Sequence, residues 1–155
     1  CGLVRGMLDL GEVCSVNLAV SLNATDDHTR SWLMPVNRTY PLARLLDACK
    51  NVTMKPRNKI TFEYILIKGV NDTPAHARAL VRLLTPLRAK INLIAFNPHP
   101  GSDLKAPDPD TVKRFLQILL DKNMTAIVRK SKGADILAAC GQLRARQMEP
   151  GIETG

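Results

Sequence analysis

Four short apolar stretches divide this chain, and each is followed by a segment of helical periodicity. Residues 16–22 (VNLAVSL) read as a buried strand that stops at polar Asn23. The polar run from Ala24 to Arg30 offers Thr25 or Asp26 as a helix N-cap, and Pro35 breaks the helix that takes in Trp32 and Leu33. In residues 41–49 the apolar positions 42, 45, 46 and 49 have helical spacing, with Pro41 suited to the first turn. Residues 59–67 (KITFEYILI) are the strongest strand, alternating first and then continuously apolar. A turn follows at 69–72. Thr73 caps a helix with Pro74 in its first turn, reaching about Leu84 before Pro86. Residues 91–96 (INLIAF) form another buried strand. Asn97-Pro98-His99-Pro100-Gly101 cannot continue a sheet and is a loop. Asp108-Pro109 opens a helix with Val112, Phe115, Leu116, Leu119 and Leu120 on one face. Residues 125–129 are the last strand, 134–147 read as a helix, and 148–155 as a flexible tail.

Buried strands that alternate with amphipathic helices predict a parallel sheet with helices packed against it. Four strands are too few to close a barrel. The expected class is therefore α/β, either an open partial (β/α) barrel over residues 1–147 or a small doubly wound sheet. In both architectures the active edge lies where strands end. Ser21-Leu22-Asn23, Lys68 to Asp72, Asn97 to Pro100 and Arg129 to Gly133 all fall there. Polar residues follow strands in every soluble α/β protein, so this placement marks an edge before it marks a site.

Composition narrows the picture. A length of 155 residues suits one domain with a real core, and no apolar run approaches membrane-spanning length. No membrane partner is expected. Cys1 in place of an initiator Met leads to the expectation that part of a longer protein is missing. A net charge of +8 suits a polyanionic partner or simple solubility. Aromatics at 4% are too few for a single-strand stacking platform. Cys1, Cys14, Cys49 and Cys140 include no CxxC pair, and His28, His76 and His99 lack ligand spacing. No metal site is expected from them, and reduced thiols in a cytoplasmic protein are the default. Glycine loops for nucleotides and the GxSxG elbow are absent. Asp108, Asp110 and Asp121 read as cap and surface residues.

Cys140 follows a cationic knot, Arg129-Lys130-Ser131-Lys132-Gly133, by one or two helical turns. Nearby cations favour the thiolate, the nucleophilic form. The other reading is a buried structural cysteine among Ala138, Ala139 and Leu143. The cations themselves have three readings: lowering the thiol pKa, holding RNA phosphate, or forming a solvated turn.

Taken together, LAVSLNATDDHTRSWLMPVNRTYPLARLLDAC, ITFEYILIKGVNDTPAHARALVRLL, KINLIAFNPHPGS and VRKSKGADILAACGQL resemble the radical S-adenosylmethionine (SAM) RNA methyltransferases of the RlmN/Cfr type, in the RlmN branch. The likeness covers nearly all of residues 1–147 and implies the C-terminal half of the catalytic barrel. It implies dual-specificity methylation of adenine C2 in 23S rRNA and tRNA, with SAM and a [4Fe–4S] cluster as cofactors and an electron donor for the cluster. The family's cluster-binding cysteines would lie upstream of Cys1, so this chain alone is expected to be inactive. Ser21, Leu22, Asn23 and Asn97 match family SAM contacts, with Asn23 where the family usually has histidine. Cys140 matches the methyl-carrying cysteine, which in the family takes a methyl from one SAM and passes it to adenine by radical chemistry. An upstream cysteine then resolves the adduct and forms a disulfide with it. A basic α/β module that binds RNA without catalysis is the competing reading, and a thiol enzyme that uses Cys140 without SAM is a third. An unpaired strand edge at Val16–Leu22 leads to an expectation of self-association.

Overall fold

The computed structural model describes residues 18–52 and 57–129. Strand β1 (Ala19–Ser21) leads to helix α1 (Asp27–Leu33), a 3-10 turn (Pro35–Arg38) and helix α2 (Leu42–Asn51). Then come β2 (Ile60–Leu66), α3 (Pro74–Leu84), β3 (Ala89–Ala95), α4 (Pro109–Asp121) and β4 (Thr125–Arg129). The caps explain the boundaries. Asp26, not Thr25, caps α1 by accepting from Thr29 N at 2.7 Å. Helix α1 therefore starts at Asp27, takes in Trp32 and Leu33 as expected, and stops at its C-cap Met34 just before Pro35. Thr73 and His76 form a reciprocal capping box at α3. Gly69, at φ 71°, makes the turn after β2, where a side chain would be strained.

All three neighbouring strand pairs are parallel, in the order β1-β2-β3-β4. Sequential order without reversal is how a (β/α) barrel winds. A doubly wound sheet reverses at a switch point. The fold is therefore an open portion of a barrel.

Register separates the two faces. Val20, Phe62, Ile91 and Ala126 form one transverse row, all buried, against Leu45 of α2, Leu80 of α3 and Phe115 of α4. That face buries most of the apolar area and holds the core. Tyr64 joins it, its ring 5.6 Å from Phe115. The next row, Ser21, Glu63, Asn92 and Ile127, lies on the opposite face. A second cluster, Ala24, Leu33, Met34, Ile65, Ile67 and Phe96, packs at the carboxyl ends of the strands. Leu120 departs from the expected apolar face of α4: it is 43% exposed, while Val112, Phe115 and Leu119 are buried.

Candidate functional site

Parallel strands bring their carboxyl ends to one edge, so the segment after β1 and the loop after β3 lie on the same side, with β2 between them. Two strand spacings separate them by about 10 Å. Ser21, Leu22 and Asn23 occupy the first position and exposed Asn97 the second.

The segment 21–23 is held from several directions. Leu22 N donates to Glu63 O at 2.9 Å, continuing the pairing with β2 past the end of β1. Leu22 itself is fully buried on the helix side. Its carbonyl accepts from Ala24 N at 2.8 Å and from Arg30 Nε at 3.0 Å. Arg30 Nη2 donates to Ser21 O at 3.1 Å, and Nη1 to Asn37 Oδ1 at 2.7 Å. The planar guanidinium thus bonds two successive carbonyls at once, which a lysine ammonium cannot match. Arg30 is buried. Desolvation lowers its pKa, and the Asp27 carboxylate works in the opposite direction. Asn37 in turn donates to Asp27 Oδ1 at 2.9 Å and to Ser31 Oγ at 2.8 Å.

Asn23 adopts φ 58°, a left-handed conformation that asparagine tolerates better than most residues. Its Oδ1 accepts from Ile65 N at 3.0 Å, and its Nδ2 lies 3.3 Å from Met34 Sδ. Its carbonyl accepts from Asn71 Nδ2 at 2.8 Å. Asn23 therefore spends its side chain on β2 and Met34. Ser21 Oγ, by contrast, has no hydrogen-bond partner among the described residues.

Asn71 is fully buried and joins two strand ends. Besides Asn23 O it donates to Ile65 O at 2.7 Å, and its Oδ1 accepts from Ile67 N at 2.7 Å. Tyr64 donates its hydroxyl to Asn71 O at 3.1 Å, and burial drives the phenol pKa upward. Sequence reasoning treated residues 69–72 as a turn and missed this role. The available signal was an Asn two residues after Gly69, directly behind a wholly apolar strand end.

The polar face carries a second set, of which sequence reasoning singled out only Arg129, as part of the cationic knot. Arg129 Nη1 lies 3.9 Å from Glu63 Oε1, reaching from β4 to β2 across β3. Between them, Asn92 is buried and its Oδ1 has no hydrogen-bond partner among the described residues. The signal was Glu63 and Asn92 themselves, two polar residues inside otherwise apolar strands. Lys68 pairs with Asp108 at 3.2 Å on the surface.

These residues can hold a polar ligand at the sheet edge. The Ser21 hydroxyl and the exposed Asn97 side chain are free among the described residues to meet hydroxyl, amine or carboxylate groups of such a ligand. An iron–sulfur cluster does not fit the described residues. No group of three His, Cys, Asp or Glu converges among them. Cys49, the only cysteine there, lies in the helix-side core, and burial pushes its thiol up to about 11. Cys140, Lys130 and Lys132 lie outside the described residues, as do Cys1, Cys14, the expected helix 134–147 and the tail.

Comparison with known proteins follows the same line. The dual-specificity RNA methyltransferase RlmN of Desulfosudis oleivorans is 56% identical over 144 residues, which is 93% of this chain and 39% of that protein. The protein of the same name from Geobacter sulfurreducens is 55% identical over 145 residues, 94% of this chain and 40% of its own length. This chain thus spans about two fifths of the curated relatives it matches. A crystal structure of a radical SAM methyltransferase from Sphaerobacter thermophilus superposes with a TM-score of 0.81 at 46% identity, covering 94% of this chain and 43% of that one. A domain of a pyruvate-formate lyase-activating enzyme from Bacteroides vulgatus, 17% identical with a TM-score of 0.59, shares the fold over 81% of this chain and 74% of its own. No family model matches the chain.

Proposed function

Because this chain belongs to the RlmN/Cfr-type radical SAM methyltransferases, we propose that it is the C-terminal part of the catalytic barrel of an enzyme that methylates adenine C2 in 23S rRNA and tRNA. The observation that carries this reading is the identity of more than half of all positions along nearly the whole chain. The sheet supports it by placing Ser21 and Asn97 along one carboxyl edge. In this reading residues 1–147 are barrel and 148–155 a tail, and the enzyme works in the cytoplasm.

Ser21 Oγ and Asn97 bind SAM directly. Leu22 and Asn23 act through the backbone they shape, since their polar groups are largely engaged by Arg30, Asn71 and Ile65. Arg30 and Asn71 are positioning residues that fix the binding edge. Cys140 is the nucleophile. Its thiolate attacks the sulfonium methyl, a thioether forms, and S-adenosylhomocysteine leaves. Lys130 and Lys132 favour that thiolate or hold RNA phosphate. A [4Fe–4S] cluster, with its electron donor, would be held by residues other than the described ones and would supply one-electron chemistry for a position too electron-poor for ordinary methyl transfer. The isolated 155-residue chain has no methyltransferase activity.

The test uses the full-length protein purified anaerobically with its cluster. Digestion and mass spectrometry should find an added methyl on the peptide that contains Cys140. An unmodified Cys140, with iron and SAM both bound, would reject the methyl-carrier role.

A further inference from the structure

The end of the sheet opposite the candidate site carries a group of cations that the methyl-transfer chemistry leaves unused. Where β2, β3 and β4 begin, Lys59, Arg88, Lys122, Asn123 and Thr125 line a cavity of about 270 Å³. The three cations are exposed, and no carboxylate lines the cavity among the described residues. None of the three makes an ion pair with a described residue. The carboxylate next to Lys122 in the chain, Asp121, instead accepts from Gln117 Nε2 at 2.7 Å.

Local structure accounts for only one of these cations. Lys122 caps the carboxyl end of α4, where the helix dipole favours positive charge. Lys59 and Arg88 immediately precede β2 and β3, and strands offer no comparable dipole. Ile60 N donates to Arg88 O at 2.9 Å, so the two cations start on neighbouring strands whose backbones are about 5 Å apart. Like charges this close repel, and an anion between them relieves the repulsion. Lys59 Nζ donates to Thr125 Oγ1 at 2.8 Å, reaching from β2 to β4. That bond fixes the ammonium before a ligand arrives, which lowers the ordering cost of binding, and two of its N–H groups remain for the ligand.

The charge continues along one helix. Helix α3 returns from the carboxyl edge of the sheet to this end, and exposed Arg78 and Arg82 stand one turn apart on it. Such a like-charge pair weakens a helix unless a counter-charge is supplied. A line of cations between the two ends suits an extended polyanion better than a single small anion. Strand β3 is seven residues long, so roughly 20 Å separate the ends. The backbone of a folded RNA spans that distance, whereas a free nucleotide does not. An acidic redox protein is the poorer fit, because it must deliver its electron near the reaction centre and not at the far end.

We propose that Lys59, Arg88 and Lys122, with Arg78 and Arg82 leading to them, form a surface that binds backbone phosphates of the RNA substrate away from the base that is modified. The choice of RNA as the polyanion rests on the function proposed above; the convergence of unpaired cations does not.

The experiment measures equilibrium binding on the full-length, cluster-loaded protein, wild type against a triple variant carrying Lys59→Gln, Arg88→Gln and Lys122→Gln. Its probes are full-length tRNA and a short hairpin with the same target adenosine, each titrated across a salt series. The triple variant should bind tRNA about tenfold more weakly at about 0.1 M salt, with a log–log salt slope shallower by about two. Its affinity for the hairpin and for SAM should match wild type. Unchanged tRNA affinity and slope overturn the proposal, and so does an equal loss for tRNA and hairpin. A variant that keeps its tRNA affinity but turns over slowly with a protein electron donor, and normally with dithionite, assigns the surface to the redox partner and overturns the RNA assignment. Wild-type protein that binds neither RNA rejects the function proposed above as well, whereas wild-type binding beside an unaffected variant rejects the surface alone. Should the triple variant not fold, Arg78→Gln with Arg82→Gln, both on the exposed face of α3, carries the same comparison.

Discussion

Arg30 does at the residue scale what a backbone segment cannot do for itself. The carbonyls of Ser21 and Leu22 leave the sheet where β1 ends, and a single planar guanidinium takes both. Removing the donors strands two carbonyls in a buried setting. We expect Arg30→Met to cost about 3 kcal/mol in urea denaturation. Arg30→Lys should recover only part of that, because an ammonium lacks the fork. Equal stability of Arg30→Met and wild type would show that water or a neighbouring donor replaces the clamp. Arg30 was hard to read from sequence, since an arginine in a polar helix usually faces solvent. Its burial follows from where α1 lands, not from its neighbours in the chain.

At the scale of elements, two helices that begin with proline are capped differently. Thr73 accepts from His76 N at 3.3 Å and contacts the His76 ring at 2.8 Å. Asp108 holds the equivalent place before Pro109 but makes no side-chain cap bond, its carboxylate going to Lys68 instead. Thr73→Ala should therefore destabilise by about 1 kcal/mol. Asp108→Ala should fall within about 0.5 kcal/mol of wild type, because an exposed ion pair contributes little. Thermal melts of the two variants side by side distinguish them, and equal losses would mean that Asp108 caps in solution. The β4 and α3 spans and the breaks at Pro35 and Pro86 were legible in the sequence, because periodicity and proline act locally, whereas β3 begins two residues before the expected Ile91. The 3-10 turn at Pro35–Arg38 was not, since it depends on Asn37 reaching Asp27 and Arg30.

For the whole molecule, the sheet is a strip of barrel. Among the described residues β1 pairs only with β2 and β4 only with β3, and Ile127 and Val128 of β4 are each more than 40% exposed. Unpaired parallel edges beside exposed apolar residues invite association with another copy. The 155-residue chain alone should therefore show a mass in light scattering that rises with concentration. A constant monomer mass across that series would show that the edges are covered. The alternation of strand and helix and the strand cores were determined by the sequence, because hydrophobic period and turn chemistry are properties of neighbours in the chain. The choice of barrel over doubly wound sheet was decided only in three dimensions, since strand order is set by pairing between segments tens of residues apart. So were the burial of Arg30, the commitment of Asn23 to Ile65, the linking of strand ends by Asn71 and the meeting of Glu63, Asn92 and Arg129 on one face. The last depends on register between strands, and a shift of one residue would have turned those side chains to the other side of the sheet.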